Sequence, residues 1–86
     1  MRLTLLSRAY CHLCDDMEAA LRPMLAATQL DVIDIDASEH AALEARYGDA
    51  VPVLFVGDPA DGREISRYRL DAARVLAALA ENPEIR

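Results

Sequence analysis

The chain has 86 residues, 53% of them hydrophobic and 28% charged, with a formal net charge of −6. This composition fits one small globular domain over residues 1–86 and excludes a disordered chain. The acidic balance argues against a nucleic-acid partner, and no apolar run is long enough for an export signal or a membrane span, so a cytoplasmic protein is expected.

Residues 2–6, "RLTLL", read as a short strand. "SRAY" leads into the two cysteines of the chain, Cys11 and Cys14. From His12 the pattern turns helical, with Leu13, Met17, Leu21, Met24 and Leu25 on one face and Ala19, Ala20, Ala26 and Ala27 adding propensity. Asp15, Asp16 and Glu18 suit the positive end of a helix dipole, and Pro23 predicts a kink or an early end. "LDVIDID", residues 30–36, is a second strand whose nearly continuous apolar residues predict cover on both faces. "SEHAALEARYG" follows as a helix, with Ser38 the expected N-cap and Gly48 the stop. "VPVLFV", residues 51–56, and "REISRY" are strands joined as a hairpin through the turn "GDPADG". Asp71 is expected to cap the last helix, with Val75, Leu76 and Leu79 facing in and Asn82–Pro83 ending it. The order β-α-β-α-β-β-α predicts an α/β fold: a four-stranded mixed sheet with helices on both faces.

Three readings compete for "CHLC". A thiol–disulfide pair needs two sulfurs within reach, one of them exposed and partly ionised. Cys11 at a helix start, with unpaired N–H groups behind it, meets the second need, and Cys14 one turn deeper meets the first. Arg8 and His12 favour a thiolate on Cys11, Asp15 and Asp16 oppose it, and Tyr10 and Leu13 would give apolar cover. A structural zinc site needs four ligands, whereas beyond the cysteines the chain offers His12 and a distant His40. Two inert core thiols are the third reading, although a helix start is the wrong place for a buried hydrophobe. Other signals are weaker. Asp34 and Asp36 share a strand face without a third ligand, and a strand end explains them. The basic residues are all arginine, and Arg63, Arg67, Arg69 and Arg74 fall in one segment, which a solvated face explains and an anion site would sharpen.

The C-x-x-C after the first strand, "AVP" before the third, and this order of elements resemble the glutaredoxin and thioredoxin superfamily over nearly the whole chain. "CHLC" followed by acids and "YGDAVPVLFV" are most similar to small bacterial glutaredoxin-like proteins. The resemblance implies a thioredoxin-like fold and a cis proline at Pro52 facing the redox pair, with Val51 offering its backbone to a bound thiol or peptide. It also implies a glutathione-binding basic residue at Arg8 and an acid at Asp71. Where the family carries a Gly-Gly turn after the fourth strand, this chain has "SRYRLD", so Tyr68 and Arg69 replace small residues; Arg67 or Arg69 would then take a glutathione carboxylate. His12 replaces residues common between the family's cysteines and should favour the thiolate.

The resulting expectation is a monomeric thiol–disulfide oxidoreductase acting through Cys11 and Cys14 on protein or small-molecule disulfides. No bound cofactor or metal is expected, glutathione is a candidate co-substrate, and glutathione or a thioredoxin reductase system would supply electrons. The second reading is a non-enzymatic module that binds a peptide at the Pro52 groove or senses redox state.

Overall fold

The computed structural model describes residues 2–25, 29–60 and 62–81. Strand β1 (Leu3–Ser7) is buried at every position. The reason is its place in the sheet, whose order is β2-β1-β3-β4. Parallel β2 (Leu30–Asp34) lies on one side of it and antiparallel β3 (Val53–Val56) on the other. Strand β4 (Arg63–Arg67) closes the hairpin with β3, and an irregularity between Leu54 and Phe55 makes Ile65 the extra residue of β4.

Side-chain alternation builds two cores. Leu3, Leu5, Leu30, Leu54, Val56 and Ile65 face α1 (His12–Leu21) and α3 (Ala72–Glu81), which contribute Met17, Leu21, Val75, Ala78 and Leu79. Leu6, Val53 and Phe55 face the other way, onto Ile35, Ala50 and Tyr47 of α2 (Ala41–Tyr47). The Tyr47 ring meets Phe55 edge to face at 5.4 Å between centroids. The α/β architecture with helices on both faces follows from these two cores.

Four local expectations are corrected. The continuously buried strand is β1; β2 is an edge strand, ends at Asp34 rather than 36, and leaves Val32 exposed. Ser38 does not cap α2. Asp34 accepts the Asp36 N–H at 3.0 Å, a 3-10 turn at Ser38–His40 intervenes without a side-chain cap, and α2 starts at Ala41. Leu76 points outward and is 58% exposed. The inward stripe of α3 is Val75, Ala78 and Leu79, which leaves Leu76 about 100° round the helix. Tyr10 is fully solvent-exposed and gives the cysteines no cover, because the chain takes a left-handed turn there, φ 57°.

Helix α1 ends at Leu21, and Pro23 sits in the 3-10 turn Arg22–Met24 that follows. Asp71 caps α3 as expected, accepting the Arg74 N–H at 3.1 Å. The helical residues Ala26 and Ala27 and the stop at Asn82 and Pro83 lie outside the described residues.

Candidate functional site

The register puts every candidate residue at one end of the sheet. Ser7 pairs with Asp34, Leu6 with Val53, and Val53 with Arg67. The segments leaving β1 and β4 and the segment entering β3 therefore emerge together. They carry Arg8 to Cys14, Tyr68 to Asp71, and Val51–Pro52.

Cys11 is the N-cap of α1, with an extended backbone, and its sulfur accepts the Cys14 N–H at 3.2 Å. Cys11 and Cys14 form a disulfide with their Cα atoms 5.2 Å apart. The two sulfurs differ in access: Cys14 is fully buried and Cys11 half-buried. Cys11 is thus the half of the pair that solvent reaches, at the end of a helix whose first N–H groups point toward it. His12, the first residue of α1, is exposed, and Leu13 between the cysteines is half-buried.

The Val51–Pro52 peptide bond is cis. Pro52 is buried, Val51 is half-buried against the α2-side core, and the Pro52 carbonyl accepts the Tyr68 N–H at 2.9 Å. Tyr68 has φ 68°, the left-handed region that costs a residue with a Cβ about 1–2 kcal/mol. Its hydroxyl lies 3.4 Å from the Asp49 carbonyl. A cavity of about 180 Å³ separates this turn from α1, lined by Leu13, Asp16, Met17, Tyr68, Arg69 and Leu70.

The arginines divide. The Arg8 guanidinium lies 3.6 Å from Asp36 and 3.5 Å from Glu44, and its Nε and Nη2 atoms are buried without a hydrogen-bond acceptor among the described residues. Beside it a second cavity, of about 290 Å³, is lined by Ser7, Arg8, Ala9, Val32 and Asp34. In the C-terminal arginine group, Arg63 pairs with Glu81. Arg67 forks onto Glu64 at 2.8 Å, and these hydrogen bonds hold its guanidinium above the ordinary arginine range against some desolvation. Arg74 donates to the Glu64 carbonyl at 3.2 Å. Arg69 has no carboxylate partner among the described residues. Asp71 spends its carboxylate on capping α3, and its own N–H is held by the Ser66 hydroxyl at 2.9 Å.

The structure therefore gathers Cys11, Cys14, Val51, Pro52 and Arg69 at one edge, with Arg8 turned toward the acids of α2 and of the link before it. Sequence reading missed the acids facing Arg8, for which no local spacing gives a signal, and the left-handed turns at Tyr10 and Tyr68. Among the described residues no cluster of three or more His, Cys, Asp or Glu side chains suits a metal, and no helix is long and apolar enough to cross a membrane.

Comparison with known proteins agrees with this layout. The family model for the Glutaredoxin-like domain (DUF836) matches residues 2–80. Protein Ne2328 from Nitrosomonas europaea, solved by solution NMR, is 38% identical, over 90% of this chain and 88% of its own, with a TM-score of 0.71. Protein XcR50 from X. campestris is 43% identical over 94% of this chain and 99% of its own, with a TM-score of 0.67. Buckwheat glutaredoxin, solved as a complex with glutathione, shares the fold at 23% identity, covering 98% of this chain and 81% of its own, with a TM-score of 0.68. A search of curated proteins gave no match.

Proposed function

The chain belongs to the glutaredoxin-like domain family, and from that premise we propose that it is a thiol–disulfide oxidoreductase working through Cys11 and Cys14. The observation that carries the reading is the unequal access of two cysteines joined across the first turn of α1. In the reduced protein the Cys11 thiolate attacks a substrate disulfide. A Cys11–substrate S–S bond forms, the substrate S–S bond breaks, and the departing sulfur takes a proton. The Cys14 thiolate then attacks Cys11 Sγ and releases the second substrate thiol. Two electrons pass to the substrate, and Cys11–Cys14 is left oxidised for a thiol reductant such as glutathione, or a reductase-fed dithiol, to restore. Substrates are protein or glutathione-mixed disulfides, met in the cytoplasm by a monomer. Val51 offers backbone groups to the bound chain, Arg69 a cation, and His12 favours the thiolate.

Replacing Cys11 with Ser is expected to lower disulfide reduction by at least about a thousandfold. Cys14→Ser should accumulate a Cys11 mixed disulfide detectable by intact mass. Full turnover by Cys11→Ser would sink the proposal.

A further inference from the structure

The turn after β4 carries a side chain that its backbone does not need. At Tyr68 the φ of 68° is one that glycine takes freely. The bonds that hold the turn, Tyr68 N–H to the Pro52 carbonyl at 2.9 Å and Arg69 N–H to the Arg67 carbonyl at 2.8 Å, are backbone bonds that any residue except proline would make. The ring must be explained by what it touches. Its hydroxyl lies 3.4 Å from the Asp49 carbonyl, in the segment before Pro52, and Tyr68 lines a cavity together with Leu13 and Met17 of α1.

We propose that Tyr68 is a specificity-determining residue, forming with Leu13, Met17 and Leu70 a slot for one apolar side chain of a protein substrate next to its reacting cysteine. This rests on the oxidoreductase reading and narrows its substrate class. Size supports a single side chain: about 180 Å³ is well below the roughly 300–1,000 Å³ that enclose a whole small ligand. Position supports it too, since Leu13 lies between the two cysteines, so a side chain in the slot brings a neighbouring sulfur toward Cys11. The lining is apolar at Leu13, Met17 and Leu70, Met17 adapts to varied shapes, and a tyrosine gives a rigid wall with a wet edge. Charge chooses a polypeptide over a small anionic disulfide. Asp16 shares the lip with one cation, Arg69, exposed Asp15 beside it leaves the rim net negative, and the chain carries −6 overall. The occupant is an apolar residue beside the substrate cysteine with a basic residue next to it, its carbonyls within the donor range of Arg69.

The test uses three probes against the reduced protein: a disulfide-linked peptide with Leu and Lys beside cysteine, the same peptide with Ser for Leu, and glutathione disulfide. The wild type is expected to favour the Leu peptide over the Ser peptide by roughly tenfold in kcat/KM. Tyr68→Gly should bring that ratio close to one and raise the rate with glutathione disulfide several-fold. Tyr68→Phe, which keeps the ring, should keep the preference, and Leu13→Ala, from the opposite wall, should weaken it. Equal wild-type rates on the two peptides, or a preference that survives Tyr68→Gly, would overturn the slot alone. No reaction with any of the three probes would overturn the oxidoreductase reading and the slot with it.

Discussion

Two arginines flank the redox pair, and their surroundings are opposite. Arg8, on the β1–α1 connection, faces Asp36 and Glu44 at 3.6 and 3.5 Å with its side chain 31% exposed. Arg69, on the turn after β4, lines an open cavity beside Leu13 and has no carboxylate partner among the described residues. In the sequence Arg69 is one of a group of four arginines, and Arg8 has the better claim because it stands three residues before Cys11. In the fold the trio of Arg8, Asp36 and Glu44 carries a net negative charge and offers an anion little, while the charge of Arg69 is still to be matched. Whether a charge is free to bind depends on what the tertiary fold brings to it, not on its spacing from a motif.

The largest expected effect that separates the two is kinetic. With glutathione disulfide, an anionic substrate, Arg69→Gln should raise KM roughly tenfold, the loss of one charge-assisted hydrogen bond. Arg8→Gln should change KM less than about twofold. Steady-state kinetics on both variants checks this; the reverse order would break the comparison and return Arg8 to the role its family resemblance implies.

The second effect is on stability, and it runs the other way. Arg8→Gln leaves Asp36 and Glu44 without their shared cation and should cost about 1 kcal/mol, kept small because both acids are half in solvent. Arg69→Gln should cost nothing measurable by urea unfolding. Adding Glu44→Gln to Arg8→Gln should give a cycle coupling of about 0.5 kcal/mol. A coupling of zero would mean the 3.5 Å approach does not tether the redox loop.

The same contrast marks what could be read before folding. The element order, both cores in outline, the cap at Asp71 and the layout of the cysteine pair follow from periodicity and from the chemistry of helix starts, which are local. The failures at Ser38 and Tyr10 are local, set by the Asp34–Asp36 turn and by a left-handed backbone; the others are non-local. Strand order in space is not strand order in sequence: the apolar run of β2, which predicts cover on both faces, lies at the sheet edge with Val32 exposed, and the continuously buried strand is β1. Asp36 and Glu44 meet Arg8 only after β2 and α2 have packed. Leu76 has the composition of a core residue, but α3 needs only one narrow stripe to cover its side of the sheet. Tyr10 is apolar by type, yet a left-handed backbone turns it out.

The smallest effect distinguishes the two tyrosines that belong to these two sides. Tyr10 and Tyr68 both have positive φ, so each carries the same backbone penalty, which glycine would relieve. Glycine also gives the unfolded chain more freedom, which costs about 0.5–1 kcal/mol and offsets part of the gain. For Tyr10, whose ring is wholly in solvent, nothing else changes, and Tyr10→Gly should stabilise by about 0.5 kcal/mol. For Tyr68, 46% exposed, the contacts of the buried part of the ring are lost as well, and those are worth about 1 kcal/mol. Tyr68→Gly should therefore destabilise by about 0.5 kcal/mol, opposite in sign to Tyr10→Gly although the backbone change is the same. Urea unfolding of the two variants side by side measures the difference. Equal shifts would mean that the Tyr68 ring packs no better than a fully exposed one, and the wall it gives the slot beside Leu13 would have no energetic basis.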